Sequence, residues 1–129
     1  MKVDAAVQRL ARILPLKKQL DELAPAQAAI YLAVLNSFYR NGRAALLSEL
    51  ILRHANAAAI LAQLAEKDML TLDQKGEVKG CYPFTMEQRV HRIELNGHRV
   101  HAMCAMDALA PAAMFDCRSV VTSECAVTA

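Results

Sequence analysis

The stretch Val100-His101-Ala102-Met103-Cys104-Ala105-Met106-Asp107-Ala108-Leu109-Ala110-Pro111 decides how the rest of the chain is read. Its second half is rich in Ala, Met and Leu, which are strong helix formers, so a helix is predicted to start near His101 or Ala102. On such a helix Cys104 occupies the first turn, where the dipole favours thiolate over thiol. Asp107, three residues later, shares its face, so a sulfur and a carboxyl group can reach the same ligand. A soft nucleophile beside a proton donor suits capture of a soft metal and protonation of a group bound to it. Each residue also has a plainer reading. Free cysteine is among the most buried residue types, and for Cys104 taken alone that reading prevails. An aspartate in a first turn can simply complement the helix dipole.

Upstream, Arg89-Val90-His91-Arg92-Ile93-Glu94-Leu95 alternates polar with apolar, and Asn96-Gly97 is a strong hairpin signal. His98 to Val100 or His101 is then the returning strand, which delivers the chain to Cys104. Val90, Ile93, Leu95 and Val100 do not keep one parity, which predicts a bulge or a shift of register. His91, His98 and His101 alternate along these strands and sketch a metal face, although exposed strand histidines are common. Met103, Met106 and Met114 are most simply core or pocket wall, while thioethers also suit soft metals.

The first part of the chain reads as helical. Val3, Val7, Leu10, Ala11 and Leu14 keep a helical period that Pro15 interrupts. A second helix is predicted to begin after Pro25, run through Phe38 and end at Asn41-Gly42, with Gly42 as a left-handed cap. Two short helices follow, Ala44 to Leu52 and Ala57 to Lys67, with Asn56 as N-cap of the latter. Met69 to Leu72 and Val78 to Tyr82 then form a two-stranded ribbon around the turn Asp73-Gln74-Lys75-Gly76. Helix, turn, helix and ribbon is the order of a winged helix, with Ala57 to Lys67 in the recognition position. That helix offers Asn56, Gln63, Glu66 and Lys67 but no arginine, the residue most used to read guanine. A winged-helix scaffold therefore outweighs DNA recognition.

Composition narrows the classes further. Of 129 residues, 55% are hydrophobic and 5% aromatic, with no Trp, which predicts an ample, aliphatic core. The formal net charge of +2 argues neither for nor against nucleic acid. Lys2, Asp4, Arg9 and Arg12 interrupt any early apolar run of signal-peptide type, and no apolar segment is long enough to span a bilayer. The expectation is a cytoplasmic protein without a membrane partner. The four cysteines, Cys81, Cys104, Cys117 and Cys125, include no Cys-x-x-Cys pair, so reduced thiols are preferred to disulfides or a zinc knuckle. Cys81, at the end of the ribbon, is expected to be half-buried. Cys117 follows Asp116 in an expected loop, as a surface thiol or an additional metal ligand.

Cys104-Ala-Met-Asp107-Ala-Leu, followed by Pro111 and then by Val120-Val-Thr-Ser-Glu-Cys125-Ala-Val-Thr128, resembles the alkylmercury (organomercurial) lyase family. That family carries a Cys-Ala-Leu-Asp-Thr-Leu run and a second cysteine in a Ser-x-Cys-x-x-Thr context, at matching separation. The resemblance is dense from about Val100 to Thr128. It implies that Cys104 is the mercury-binding catalytic cysteine, that Asp107 helps protonate the leaving carbon and contacts mercury, and that Cys125 is mainly structural. The family's further catalytic cysteine, tens of residues on, has no counterpart here, so the resemblance implies a C-terminally shortened member. A winged-helix-like helical domain at the N-terminus also fits the family.

The expected architecture is α+β, with a winged-helix-like helical domain over 1–82 and a partial lyase-like core over 83–129. The expected function leans toward an enzyme, one that cleaves carbon–mercury bonds by protonolysis. Mercury is then substrate and product, bound by Cys104 and Asp107 with Cys117 or Cys125 as supporting ligands. No cofactor is required, and free thiols remove the product. Expected partners are an organomercurial small molecule or mercuric ion and a second copy of the chain in a homodimer. The alternative is a non-catalytic soft-metal thiol-binding or sensor protein with a winged-helix DNA-binding domain.

Overall fold

The computed structural model describes residues 21–103 and 105–123, with the backbone alone for 105–107 and 113. The expected helix from Val3 to Leu14 lies outside the described residues.

Helix α1 runs Pro25–Asn41, with proline pre-set for the first helical position and Gly42 closing the end at φ 71°. The Gly42 amide donates to the Phe38 carbonyl at 3.1 Å. A Cβ on Gly42 would also lie 2.8 Å from His98 Cβ, so both the backbone conformation and the packing exclude a side chain there. Helix α2, Leu47–Ile51, is shorter than the expected Ala44 to Leu52. Ala44 and Ala45 are instead buried in the loop that leads into it. The Leu47 amide is met by the Glu77 carboxylate at 2.9 Å, which fastens the start of this short helix to the ribbon turn. Helix α3, Ala57–Glu66, buries Ala57, Ile60, Leu61 and Leu64 on one face. Asn56 stands at its N-cap position, but its side chain makes no capping hydrogen bond.

The strands β1 Leu70–Leu72, β2 Val78–Cys81, β3 Phe84–Thr85, β4 His91–Leu95, β5 His98–Ala102 and β6 Ser119–Ser123 form one antiparallel sheet in the order β1-β2-β3-β5-β4-β6. Helix α4, Ala105–Met114, connects β5 to β6. The molecule is thus α+β, with α3 on the edge strand β1, α1 packed on α3 and β5, and α4 against β4, β5 and β6. Among the described residues no helix is long and apolar enough to cross a membrane.

Asn96 and Gly97 both have positive φ, 52° and 77°, the backbone signature of a two-residue primed turn. The predicted bulge is absent. Arg92, Ile93, Glu94 and Leu95 pair in unbroken register with His101, Val100, Arg99 and His98. The parity conflict came from Val90, which precedes the strand and is exposed. Ile93, Leu95, Val100 and Ala102 share the inner face and are buried.

The core joins the two halves of the chain through aromatic rings. Phe84 stacks on Phe38 of α1, with centroids 4.9 Å apart, and neighbours Phe115 at 6.1 Å. Phe115, just past α4, stacks on Tyr39 of α1 at 4.7 Å. All three phenylalanines of the sequence are therefore in one contiguous group. The hairpin tip adds a polar clasp to the same helix: Asn96 Nδ2 donates to the Tyr39 carbonyl at 3.1 Å, and His98 Nε2 to that of Arg40 at 2.7 Å. These groups satisfy carbonyls of the last turn of α1. The expected boundary at 82/83 falls in the two-residue turn between β2 and β3, inside this sheet.

Candidate functional site

The site region is built where β5 ends. Ala102 pairs with Phe84 and His101 with Thr85, so these residues complete a strand and do not begin a helix. This corrects the expected helical start near His101 or Ala102. The inner-face requirement on Val100 and Ala102 extends the strand beyond what local propensity gives. The Met103 amide donates to the Pro83 carbonyl at 3.3 Å, the last tie to the sheet before the chain turns into α4. The described helix begins at Ala105 and carries Asp107 in its first turn. Pro111, four residues beyond Asp107, has no N–H to give, so the Asp107 carbonyl lacks its usual helical donor. Cys104 and Cys125 lie outside the described residues, as does the side chain of Asp107.

Two other cysteines are described, and they differ. Cys81 is fully buried, not half-buried as expected, with Tyr31 of α1 against its thiol. Burial pushes its thiol well above the ordinary range, and the hydrogen bond from Tyr31 only partly opposes this. Tyr31 is itself raised, first by burial and then by the neighbouring Cys81. Its hydroxyl also lies 3.3 Å from the Tyr82 carbonyl, which it can donate to. A protonated, sealed thiol is a poor metal ligand. Cys117 follows α4, with its amide donating to the Ala112 carbonyl at 3.0 Å. It is half-buried and packs against the core from outside. This is neither the plain surface thiol expected nor a sealed one.

The histidine metal face does not form. His91 and His98 lie on the parity of the inner-face residues, while His101 points to the outer face beside Arg92. Each also has a local partner. His91 Nδ1 is 2.7 Å from Ser123 Oγ, His98 Nε2 is engaged by α1, and His101 Nδ1 lies 3.2 Å from the Arg89 amide and 3.1 Å from its carbonyl. Among the described residues no three His, Cys, Asp or Glu groups converge as a metal site.

A cleft of about 400 Å³ opens beside Met103. Gln88, Arg89, Val90, His91 and Arg92 form its other walls. Met103 folds over Gly80, where a Cβ would meet its Cε at 2.6 Å. Glycine at position 80 therefore lets the thioether lie flat on the outer face of the sheet. Sequence reasoning read Arg89 to Arg92 as strand pattern, with His91 in a histidine face, and missed this cleft. The available signal was the concentration of Gln, Arg and His between Thr85 and the hairpin.

Residues 84–129 match the model of the alkylmercury lyase family. This segment is similar to the alkylmercury lyase family. The match begins at the first residue of β3, so it takes in the β4–β5 hairpin and the cleft as well as the Cys104–Asp107 run. Among solved structures, the mercury-bound form of MerB2 is similar, with a TM-score of 0.71 and 22% identity. The similarity covers 87% of this chain and 56% of MerB2, so the likeness of fold extends well upstream of the matched segment. The chain spans about half the length of that relative. No curated protein matches the sequence.

Proposed function

We propose that the chain is an alkylmercury-lyase-like protein that cleaves carbon–mercury bonds by protonolysis. The family match over residues 84–129 carries this reading. In it, Cys104 thiolate binds the mercury of an organomercurial, displacing its weaker ligand. Asp107, one helical turn into α4, delivers a proton to the carbon bound to mercury. The electron pair of the carbon–mercury bond leaves with carbon and takes that proton, and mercury stays divalent. Hydrocarbon departs, and the mercury left on one sulfur carries a positive charge that a second thiolate neutralises. Cys117, Cys125 or a free thiol supplies that second sulfur, and free thiol carries the product away. Cys81 is unsuited because its thiol is buried and protonated.

The order α2, α3, β1–β2 supports reading residues 1–82 as a winged-helix-like scaffold. The exposed positions of α3 are Ala58, Ala59, Ala62, Gln63 and Glu66. A helix whose single cation, Lys67, stands at its C-terminal cap matches phosphate backbone poorly, so the domain is proposed as support for the site and not as a DNA reader.

The test is incubation with phenylmercury and excess thiol, following benzene by gas chromatography. Release by the native chain that falls to the uncatalysed background in Cys104→Ser and Asp107→Ala supports the lyase. Tight mercury binding without any hydrocarbon overturns catalysis and leaves a thiol-binding protein.

A further inference from the structure

The cleft beside Met103 has a composition that the protonolysis does not use. Its walls combine two guanidinium-bearing residues, an imidazole and an amide with one thioether and one valine. Among the described residues no carboxylate lines it. The nearest acidic group in sequence, Glu87, is shared: Lys79 Nζ is 2.7 Å from Oε1, and Arg89 pairs with Oε2. Two cations on one carboxylate leave this cluster with an excess of positive charge. Glu87 also has its own carboxyl held below the ordinary range, by Lys79 first and then by Arg89, so it stays ionised and keeps Arg89 in place. The main chain at Arg89 is fixed as well, by His101. The cleft is therefore built on a pinned segment, and about 400 Å³ suits a small molecule.

We propose that this cleft recognises the carboxylate of a small ligand whose other end is presented to the Cys104–Asp107 region. Guanidinium pairs with carboxylate in a planar, two-pronged geometry, and the Met103 thioether gives the remainder of the ligand an apolar, polarisable wall. Met103 is the residue next to Cys104, so a molecule seated against it lies one residue along the chain from the one that carries the proposed sulfur. This rests on the lyase reading for its purpose, though not for the binding itself. Two sources share the required chemistry: an organomercurial whose organic group bears a carboxylate, and a carboxylate-bearing thiol that accepts the mercury.

The binding experiment uses the whole chain with methyl-labelled methionine and no mercury. Benzoate is expected to shift the Met103 methyl resonance and neutral benzamide to leave it in place. Arg89→Gln should weaken benzoate roughly tenfold, the scale of one charge-assisted hydrogen bond, with Arg89→Lys in between. Equal responses to benzoate and benzamide, or benzoate binding unchanged in Arg89→Gln, overturn the proposal. The activity arm compares 4-carboxyphenylmercury with phenylmercury, and glutathione with mercaptoethanol as mercury acceptor. A KM advantage for the carboxylated mercurial that Arg89→Gln removes assigns the cleft to the organic group. An Arg89-dependent advantage for glutathione assigns it to the thiol. If neither mercurial is cleaved while benzoate binds, the lyase reading fails and the cleft stands. If both are cleaved alike and benzoate does not bind, the cleft fails and the lyase reading stands.

Discussion

The two faces of the sheet make different uses of the same strands. The inner face carries Ile93, Leu95, Val100, Ala102, Phe84 and Cys81, all nearly or wholly removed from water. There a thiol becomes inert, because burial disfavours its charged form and Tyr31 offers one hydrogen bond against that cost. The outer face carries Lys79, Arg92, Glu94, Arg99 and His101, with Met103 laid over Gly80. It holds charge and the cleft beside Met103. Burial on the inner face is thus enough to make a cysteine structural, while the outer face leaves its side chains open to solvent and ligand.

The sharpest way to break this contrast is at the centre of the inner face. Phe84 contacts Phe38 on one side and Phe115 on the other. Phe84→Ala should cost about 3–5 kcal/mol, the usual range for truncating a buried aromatic, measured by urea unfolding. Because the rings join α1 to the segment after α4, both halves should unfold together in the native protein. A loss under 1 kcal/mol would show that the aromatic group is not what joins them. One step smaller is Gly80→Ala on the outer face. The new Cβ would press on Met103 Cε at 2.6 Å and Thr71 Oγ1 at 3.0 Å, with the Phe84 carbonyl oxygen at 3.3 Å. Met103 can swing aside, so the expected cost is only about 1 kcal/mol, at the low end for overpacking. The clearer readout is a displaced Met103 methyl resonance.

A comparison of thiols sharpens the contrast without altering stability. A disulfide reagent at pH 8 should modify Cys117 in the native protein and leave Cys81 untouched until denaturant is added. A sealed thiol reacts only through opening of the surrounding structure. The expected difference in rate is on the order of a hundredfold or more, read by mass spectrometry of the labelled peptides. Prompt labelling of Cys81 would mean that the inner face is open near Tyr31.

Much of this architecture was legible in the sequence because its signals are local. Pro25 and Gly42 bracket α1, Asn96-Gly97 makes the hairpin, and Ile60, Leu61 and Leu64 mark the buried face of α3. What was not legible depends on partners distant in the chain. The strand character of His101 and Ala102 comes from Thr85 and Phe84 across the sheet, and no local propensity encodes that. The regular register of the hairpin was obscured by treating Val90 as part of the strand. Cys81 looked half-exposed because the residue that covers it, Tyr31, is fifty positions away. For the site, the Cys104–Asp107 run was recognisable as a motif, whereas the cleft needs Met103 folded back over a glycine of another strand.

The smallest effect belongs to the outer face. Glu87 is exposed and paired with Lys79 and Arg89, and these cations hold its carboxyl below the ordinary value of 4.5. A carboxyl depressed on folding contributes stability above its unfolded pKa and loses it as pH falls through the folded one. The contribution should therefore be present at neutral pH and down to about pH 4.5, then fade at more acid pH. Solvent and salt screen such a pair, so Glu87→Gln should lower the thermal midpoint only slightly at pH 7 in low salt. The native and variant curves should converge as pH falls through the acid range or as salt is raised. Convergence on raising the pH instead would have the wrong sign for a carboxylate held by cations. A difference that persisted through both acid and salt would mean that Glu87 acts through packing and not through charge.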